Sequence, residues 1–180
     1  MEIYGEENTK KELILMNYAI EKASKGEVVL FIDSRGSFRP ERFVEEGLAD
    51  VEALGRIDVL RLAEGVRAFE RISKLLALKK YRTVLWDGMS IPFYELQVSF
   101  ELGLISRMLS LYSLRENTVL VTNPIVSLKG KPLGYQYTDP YVHVRARAEK
   151  VKEDLGSLKA YGWSAKYRIN GLKVYLEEVI

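Results

Sequence analysis

The sequence contains no cysteine and a single histidine, His143. The first absence excludes a disulfide-stapled scaffold and any thiolate metal centre. The second leaves His143 without a partner ligand, so it reads as a packed or surface side chain. Glutamine is scarce too: only Gln97 and Gln136 stand against 29% charged residues, the balance of a heat-adapted protein. No apolar run approaches the roughly 20 residues that a helical membrane span needs. Met1-Glu2-Ile3-Tyr4-Gly5-Glu6-Glu7 lacks the basic start and apolar core of a signal peptide, so a cytoplasmic protein with no membrane partner is expected. There is no internal repeat, low-complexity tract or linker.

What remains is unevenly placed. The 180 residues suit one domain, 1–180, large enough to bury its own core. Net charge is only +2, yet residues 1–128 carry 17 basic and 19 acidic side chains whereas 129–173 carry 10 and 4. Such a basic segment serves either as a solvated strand face or as a contact for nucleic-acid phosphates. Hydrophobic periodicity alternates strands with helices, the pattern of an α/β fold whose mostly parallel central sheet is flanked by helices. Met1–Tyr4 reads as a short strand, and a helix to Ser24 follows with Leu13, Met16, Ile20 and Ala23 on one face. Val28–Ile32 is a strand buried on both faces. A helix from Arg42 to Leu54, a strand over Ile57–Leu62 and a helix over Glu64–Leu78 come next. Thr83–Asp87 is a strand, Phe93–Leu114 a long helix and Val119–Asn123 a strand. Pro124–Tyr141 reads as a loop and Val142–Arg147 as a strand. Tyr161–Ile169 and Leu172–Leu176 form an antiparallel hairpin around Asn170-Gly171. The core spans 1–147 and the hairpin region 148–180.

The rest of the chain is organised around Phe31-Ile32-Asp33-Ser34-Arg35-Gly36-Ser37-Phe38-Arg39-Pro40-Glu41-Arg42-Phe43. The strand stops at Asp33, Gly36 permits a tight turn, and Pro40 suits a first helical turn. Open α/β sheets bind ligands at the carboxyl ends of their strands, which puts Asp33, Arg35 and Arg42 where such contacts are expected; a polar strand-to-helix loop is the alternative. Between the first strand and helix, Gly5 to Glu12 keeps two of the four positions of the phosphate loop G-x-x-x-x-G-K-[ST]. Gly5 and Lys11 match; Lys10 replaces the second glycine and Glu12 the hydroxyl residue. Glu6, Glu7 and Glu12 also place negative charge where an anion would be received, and repulsion between unit charges a few ångströms apart is about 1–4 kcal/mol. Thr83-Val84-Leu85-Trp86-Asp87, an apolar strand ending in Asp, has the Walker B pattern, in which the carboxylate orients the water shell of Mg²⁺. An Asp that only caps a helix or forms a turn is the other reading.

Ile32-Asp33, Gly36 and Phe38-Arg39-Pro40-Glu41-Arg42 resemble the I-D-T-E-G-T-F-R-P-E-R segment of the archaeal RadA and RadB recombinases, members of the RecA superfamily of P-loop ATPases. The resemblance extends over about residues 1 to 147. It implies a RecA-like P-loop NTPase core with a C-terminal antiparallel hairpin. Gly5, Lys11, Arg42 and Asp87 are then the remnant of a nucleotide site. Gly5 and Lys11 belong to the phosphate loop, Arg42 packs on adenine, and Asp87 is the metal-side carboxylate if Mg-nucleotide binds. Val121-Thr122-Asn123 is similar to the family's V-I-T-N-Q segment, and Pro132-Leu133-Gly134 to its P-I-G-G.

The departures fall on the chemistry. Arg35 stands where the family carries the Glu that activates water, and a cation cannot accept the proton. Pro124 replaces the Gln that senses the γ-phosphate. No Gly- and Arg-rich insertion corresponds to the first DNA loop. The second is shortened, and its Lys129, Lys131, Tyr135 and Tyr137 offer cations and stacking faces to a single strand, a flexible polar loop being the alternative. The chain opens at the phosphate-loop strand without the RadA helix-hairpin-helix domain, which places it nearest the RadB-like paralogues. The resemblance thus implies a non-hydrolysing paralogue, an accessory of DNA recombination and repair. Its partners would be a recombinase or repair factor, single-stranded DNA and further copies of itself. No cofactor is expected, and ATP with Mg²⁺ would bind weakly. Two alternatives stand beside it: an ATP-binding, DNA-dependent ATPase with a rearranged site using Lys11, Asp87, Asp33 and Arg42, and an interaction module unrelated to DNA.

Overall fold

The computed structural model describes residues 1–94, 99–126 and 130–179; Lys129 lies outside the described residues. In chain order the elements are β1 (Glu2–Gly5), α1 (Lys11–Ser24), β2 (Val29–Asp33), α2 (Pro40–Glu45), α3 (Val51–Leu54), β3 (Ile57–Arg61), α4 (Ala68–Ala77), β4 (Thr83–Asp87), α5 (Ile91–Tyr94), α6 (Ser99–Ser113), β5 (Thr118–Val126), β6 (Lys131–Pro132), α7 (Tyr135–Thr138), β7 (Arg145–Lys150), β8 (Leu155–Ala160), β9 (Trp163–Asn170) and β10 (Lys173–Val179).

Every residue of β2 and of β4 is buried. Neither strand alternates, because both of its faces are covered. On one side Phe31 and Leu85 pack with Ile14, Leu15, Met16 and Ala19 of α1 and with Phe43. On the other, Leu30, Ile32, Val84 and Trp86 pack with Ile72 and Leu76 of α4 and with Leu102, Ile105 and Leu109 of α6. The fold is therefore α/β, with helices on both faces of a mixed sheet ordered β3-β2-β4-β5-β1-β7-β8-β9-β10, and β6 paired to β5. The pairs from β3 to β7 are parallel; those from β7 to β10 are antiparallel. β1 is thus central, flanked by β5 and β7, and the register sets Asp33 opposite Asp87 at the carboxyl ends of β2 and β4.

Several boundaries differ from the sequence expectation. The Arg42–Leu54 helix is divided into α2 and α3, because Gly47 adopts φ +67° and Asp50 starts a new helix by accepting from Ala53 N–H at 2.6 Å. α4 begins at Ala68, just after Arg67 in the left-handed region. Within the expected Phe93–Leu114 helix, α6 covers Ser99–Ser113, and the short α5 precedes it. β5 continues through Pro124 to Val126, since pairing with β4 has already ended at Val121 and Pro124 needs only the last position beside Gly5. The expected loop to Tyr141 holds β6, α7 and a 3-10 turn over Asp139–Tyr141. β7 begins at Arg145 rather than Val142, and β8 has no counterpart in the sequence reading. In the hairpin Asn170 pairs with Lys173, so Gly171 and Leu172 are the central turn residues; Gly171, at φ +60°, occupies the first of them.

Candidate functional site

The segment from Gly5 to Glu12 is closed on itself. Gly5 permits β1 and β7 to approach, since a Cβ there would lie 2.5 Å from the Ala148 carbonyl oxygen. A 3-10 turn over Glu7–Thr9 follows, and Lys10 takes the left-handed conformation, φ +50°, at the position where the phosphate-loop pattern has glycine. A side chain tolerates that region only at a cost of about 1–2 kcal/mol. Lys11, 1% exposed, donates from Nζ to the Glu6 carbonyl at 3.1 Å, and the Thr9 hydroxyl donates to the same oxygen at 2.6 Å. Burial lowers the Lys11 ammonium pKa, and the nearby Arg35 guanidinium lowers it further. Glu12 is half-buried, and loss of water around its carboxyl raises its pKa.

Asp87, fully buried, accepts from the Thr122 hydroxyl at 2.5 Å on Oδ1 and from the Ser37 hydroxyl at 2.7 Å on Oδ2. The Arg35 guanidinium spans the space above it: Nε stands 3.9 Å from Asp87 Oδ2, and Nη2 donates to Glu7 Oε1 at 3.0 Å. Asp33 plays a different part from the one its position suggests. Its Oδ1 accepts from the backbone N–H groups of Arg35, Gly36 and Ser37, at 3.0, 2.8 and 3.2 Å, and its Oδ2 from that of Phe38 at 3.0 Å and from Arg61. The carboxylate is consumed in shaping the turn that delivers Arg35 and Ser37 to Asp87. Arg42 is exposed on α2, with no side-chain hydrogen bond or ion pair to Lys11 or Asp87.

A Mg²⁺–ATP hydrolysis site does not fit these residues. Lys11 Nζ is turned onto the Glu6 carbonyl of its own loop, the Arg35 guanidinium stands beside the Asp87 carboxylate that would face a metal ion, and Glu12 adds a carboxyl nearby. Asp33, the carboxylate opposite Asp87, is taken up by its own turn and Arg61, and both Asp87 oxygens already accept hydroxyl protons. Among the described residues no group of three or more Asp, Glu or His is arranged to hold a metal ion. The arrangement is an ion-paired lock between the strand ends.

The lock has a second latch, which nothing in the local sequence signals. The Tyr167 hydroxyl on β9 donates to the Thr9 carbonyl at 2.7 Å, and burial, with the nearby Glu12 carboxylate, pushes its pKa up to about 12. Gly156 on β8 makes room for that ring: a Cβ there would fall 2.1 Å from Tyr167 Cζ.

Of the four residues expected at a nucleic-acid loop, Lys129 lies outside the described residues, and Lys131, Tyr135 and Tyr137 line one surface pocket, though their side chains differ in what they meet. Lys131 is exposed, with Nζ 4.1 Å from the Tyr135 ring centroid, and Arg145 Cζ lies 4.7 Å from the same centroid. Tyr137 instead packs against the core cluster of α4 and α6. Arg145 belongs to a network that sequence reasoning missed. It donates from Nε to Glu2 Oε2 at 2.5 Å and from Nη1 to Asp139 Oδ1 at 2.6 Å, while the Asn123 side-chain amide donates to Glu2 Oε1 at 2.7 Å. Burial opposes the Arg145 charge, but the Glu2 and Asp139 carboxylates outweigh it and raise the guanidinium pKa. The partners are over a hundred residues apart in the chain, so no local pattern marks Glu2 or Asn123. Thr122 and Ser37 lie within segments the sequence singles out, but nothing there assigns their hydroxyls to Asp87. Compared with known proteins, the chain matches no family model and no curated sequence.

Proposed function

We propose that the chain is a RecA-like paralogue that does not hydrolyse ATP and acts in DNA recombination and repair by binding a protein partner. Support for the scaffold comes from a central β1 that leads through a short loop into α1 with Lys11 at its start, and from Asp87 at the end of β4, a parallel strand separated from β1 by β5. The observation that carries the reading is the Arg35 guanidinium between Glu7 and Asp87. Hydrolysis requires a group that accepts a proton from water, and a guanidinium cannot. A catalytic pocket would also keep its metal-side carboxylate open, whereas Asp87 is closed by Ser37 and Thr122.

Titration calorimetry with Mg-ATP, paired with a phosphate-release assay with and without single-stranded DNA, tests this. Affinity weaker than about 1 mM, near −4 kcal/mol, and no turnover are expected. Tight binding with DNA-stimulated turnover that Lys11→Ala abolishes would overturn it.

A further inference from the structure

The antiparallel end of the sheet has two unlike faces. Ala148, Leu158, Tyr167 and Ile169 turn towards α1 and the core. Alternate residues point the other way, where Arg147, Lys159, Lys166, Arg168, Lys173 and Tyr175 are exposed. The register gathers them. Arg147 lies opposite Lys159; Arg168 is opposite Tyr175; Lys166 is one pleat along from Arg168 and across from the exposed Glu177, and Lys173 is across from Asn170. Neighbouring strands are about 4.8 Å apart and same-face residues about 6.7 Å apart, so these cations form a grid a few ångströms in pitch. Glu149 partly neutralises two of them, at 2.6 Å from Lys159 and 3.4 Å from Arg147. Lys166 and Arg168 have no ion pair among the described residues, and Lys173 lies over the Tyr175 ring at 5.0 Å. At its β7 end the face runs into Arg145 and the Lys131–Tyr135 stack.

We propose that this outer face of β7–β10 binds the sugar-phosphate backbone of single-stranded nucleic acid, independently of sequence. It does not depend on how the Lys11 pocket is read. Charge complementarity selects a polyanion, and the exposed Tyr175 ring offers a stacking platform to unpaired bases, which a duplex would withhold. A protein partner is disfavoured because interfaces form around apolar anchors. Of the large exposed apolar side chains nearby, Trp163 and Leu176 are paired in register with Ala160 and Tyr167 and so belong to the opposite face, while Val151 and Tyr161 lie in the turns beyond the strand ends.

Fluorescence anisotropy of a labelled oligo-dT, measured at low and rising salt, reads the interaction directly. Release of three to five counterions predicts a slope of log affinity against log salt of about −2 to −3.5, at about 0.7 per phosphate neutralised. Lys166→Glu with Arg168→Glu, both exposed strand positions, should cut affinity at least about tenfold and flatten the slope by about 1.4. Lys25→Glu with Arg71→Glu, the same change of net charge on exposed helix surfaces, should leave affinity within about twofold. Circular dichroism establishes that both variants are folded. The proposal is overturned by absence of binding at low salt, by equal losses in the two variants, by preference for a duplex of the same length, or by polyglutamate competing as well as unlabelled oligo-dT.

Discussion

Arg145→Met isolates a fully buried charge, the Glu2 carboxylate. Glu2 has no exposed surface, and its carboxylate rests on two donors, the Asn123 amide at 2.7 Å and Arg145 Nε at 2.5 Å. Methionine keeps the length and the apolar stem of the arginine but removes the charge, leaving a buried carboxylate with one neutral donor. Breaking a buried ion pair on one side costs about 3–5 kcal/mol. Against a total stability of about 5–15 kcal/mol, and with about 2–4 °C of melting temperature per kcal/mol for a chain of this size, the expected fall is about 6–20 °C. Glu2→Gln combined with Arg145→Met removes the stranded charge while the glutamine oxygen still accepts from Asn123. The double variant should therefore recover about 2 kcal/mol relative to Arg145→Met alone. Urea and thermal unfolding followed by circular dichroism measure both quantities. A loss below about 1 kcal/mol for Arg145→Met, or a double variant no more stable than the single one, would refute the account of Glu2 as a charge held in place by its partner.

Other perturbations address the latch and the lock. Gly156→Ala drives a methyl into the buried Tyr167 ring and should cost more than about 4 kcal/mol, read as a collapsed melting temperature. Gly162→Ala, at φ +82° with open space around it, should cost only about 1–2 kcal/mol. Tyr167→Phe removes the donor to the Thr9 carbonyl, with an expected loss of about 1–2 kcal/mol and faster amide exchange through Glu7–Lys11. Glu12 has a raised carboxyl pKa, so its contribution to stability is fully present below the unfolded value and is lost as pH rises through the folded one. Glu12→Gln should match the parent chain at acid pH and become progressively more stable than it as pH rises to neutrality, as urea unfolding across pH would show; a gap widest at acid pH would contradict the burial argument. Arg35→Ala removes the cation beside Lys11 and should raise the Lys11 pKa, observable by NMR titration of its ε-methylene.

The sequence by itself determined the elements whose signal is local. The unbroken apolar runs ending in Asp33 and Asp87 had to be strands covered on both sides, and α1 carries its inward face in its own spacing, with Met16, Ile20 and Ala23 buried, Leu13 only partly so, and Ile14, Leu15 and Ala19 widening the stripe. Gly171 marks a hairpin turn because few other residues reach positive φ there at low cost. β8 escaped notice because Gly156 and Lys159 dilute its pattern; it is a strand only because β7 and β9 bond it on both sides. Periodicity reports that a residue is buried, not against what. Tertiary structure alone decided that Asp33 spends its oxygens on its own turn, that Arg35 reaches both Glu7 and Asp87, and that Tyr167 closes on Thr9 from 158 residues away. It also decided that Arg147, Lys159, Lys166, Arg168 and Lys173 share one face. Charge, hydrogen bonding and steric room act through space over a few ångströms, and only the folded sheet brings those groups within that range.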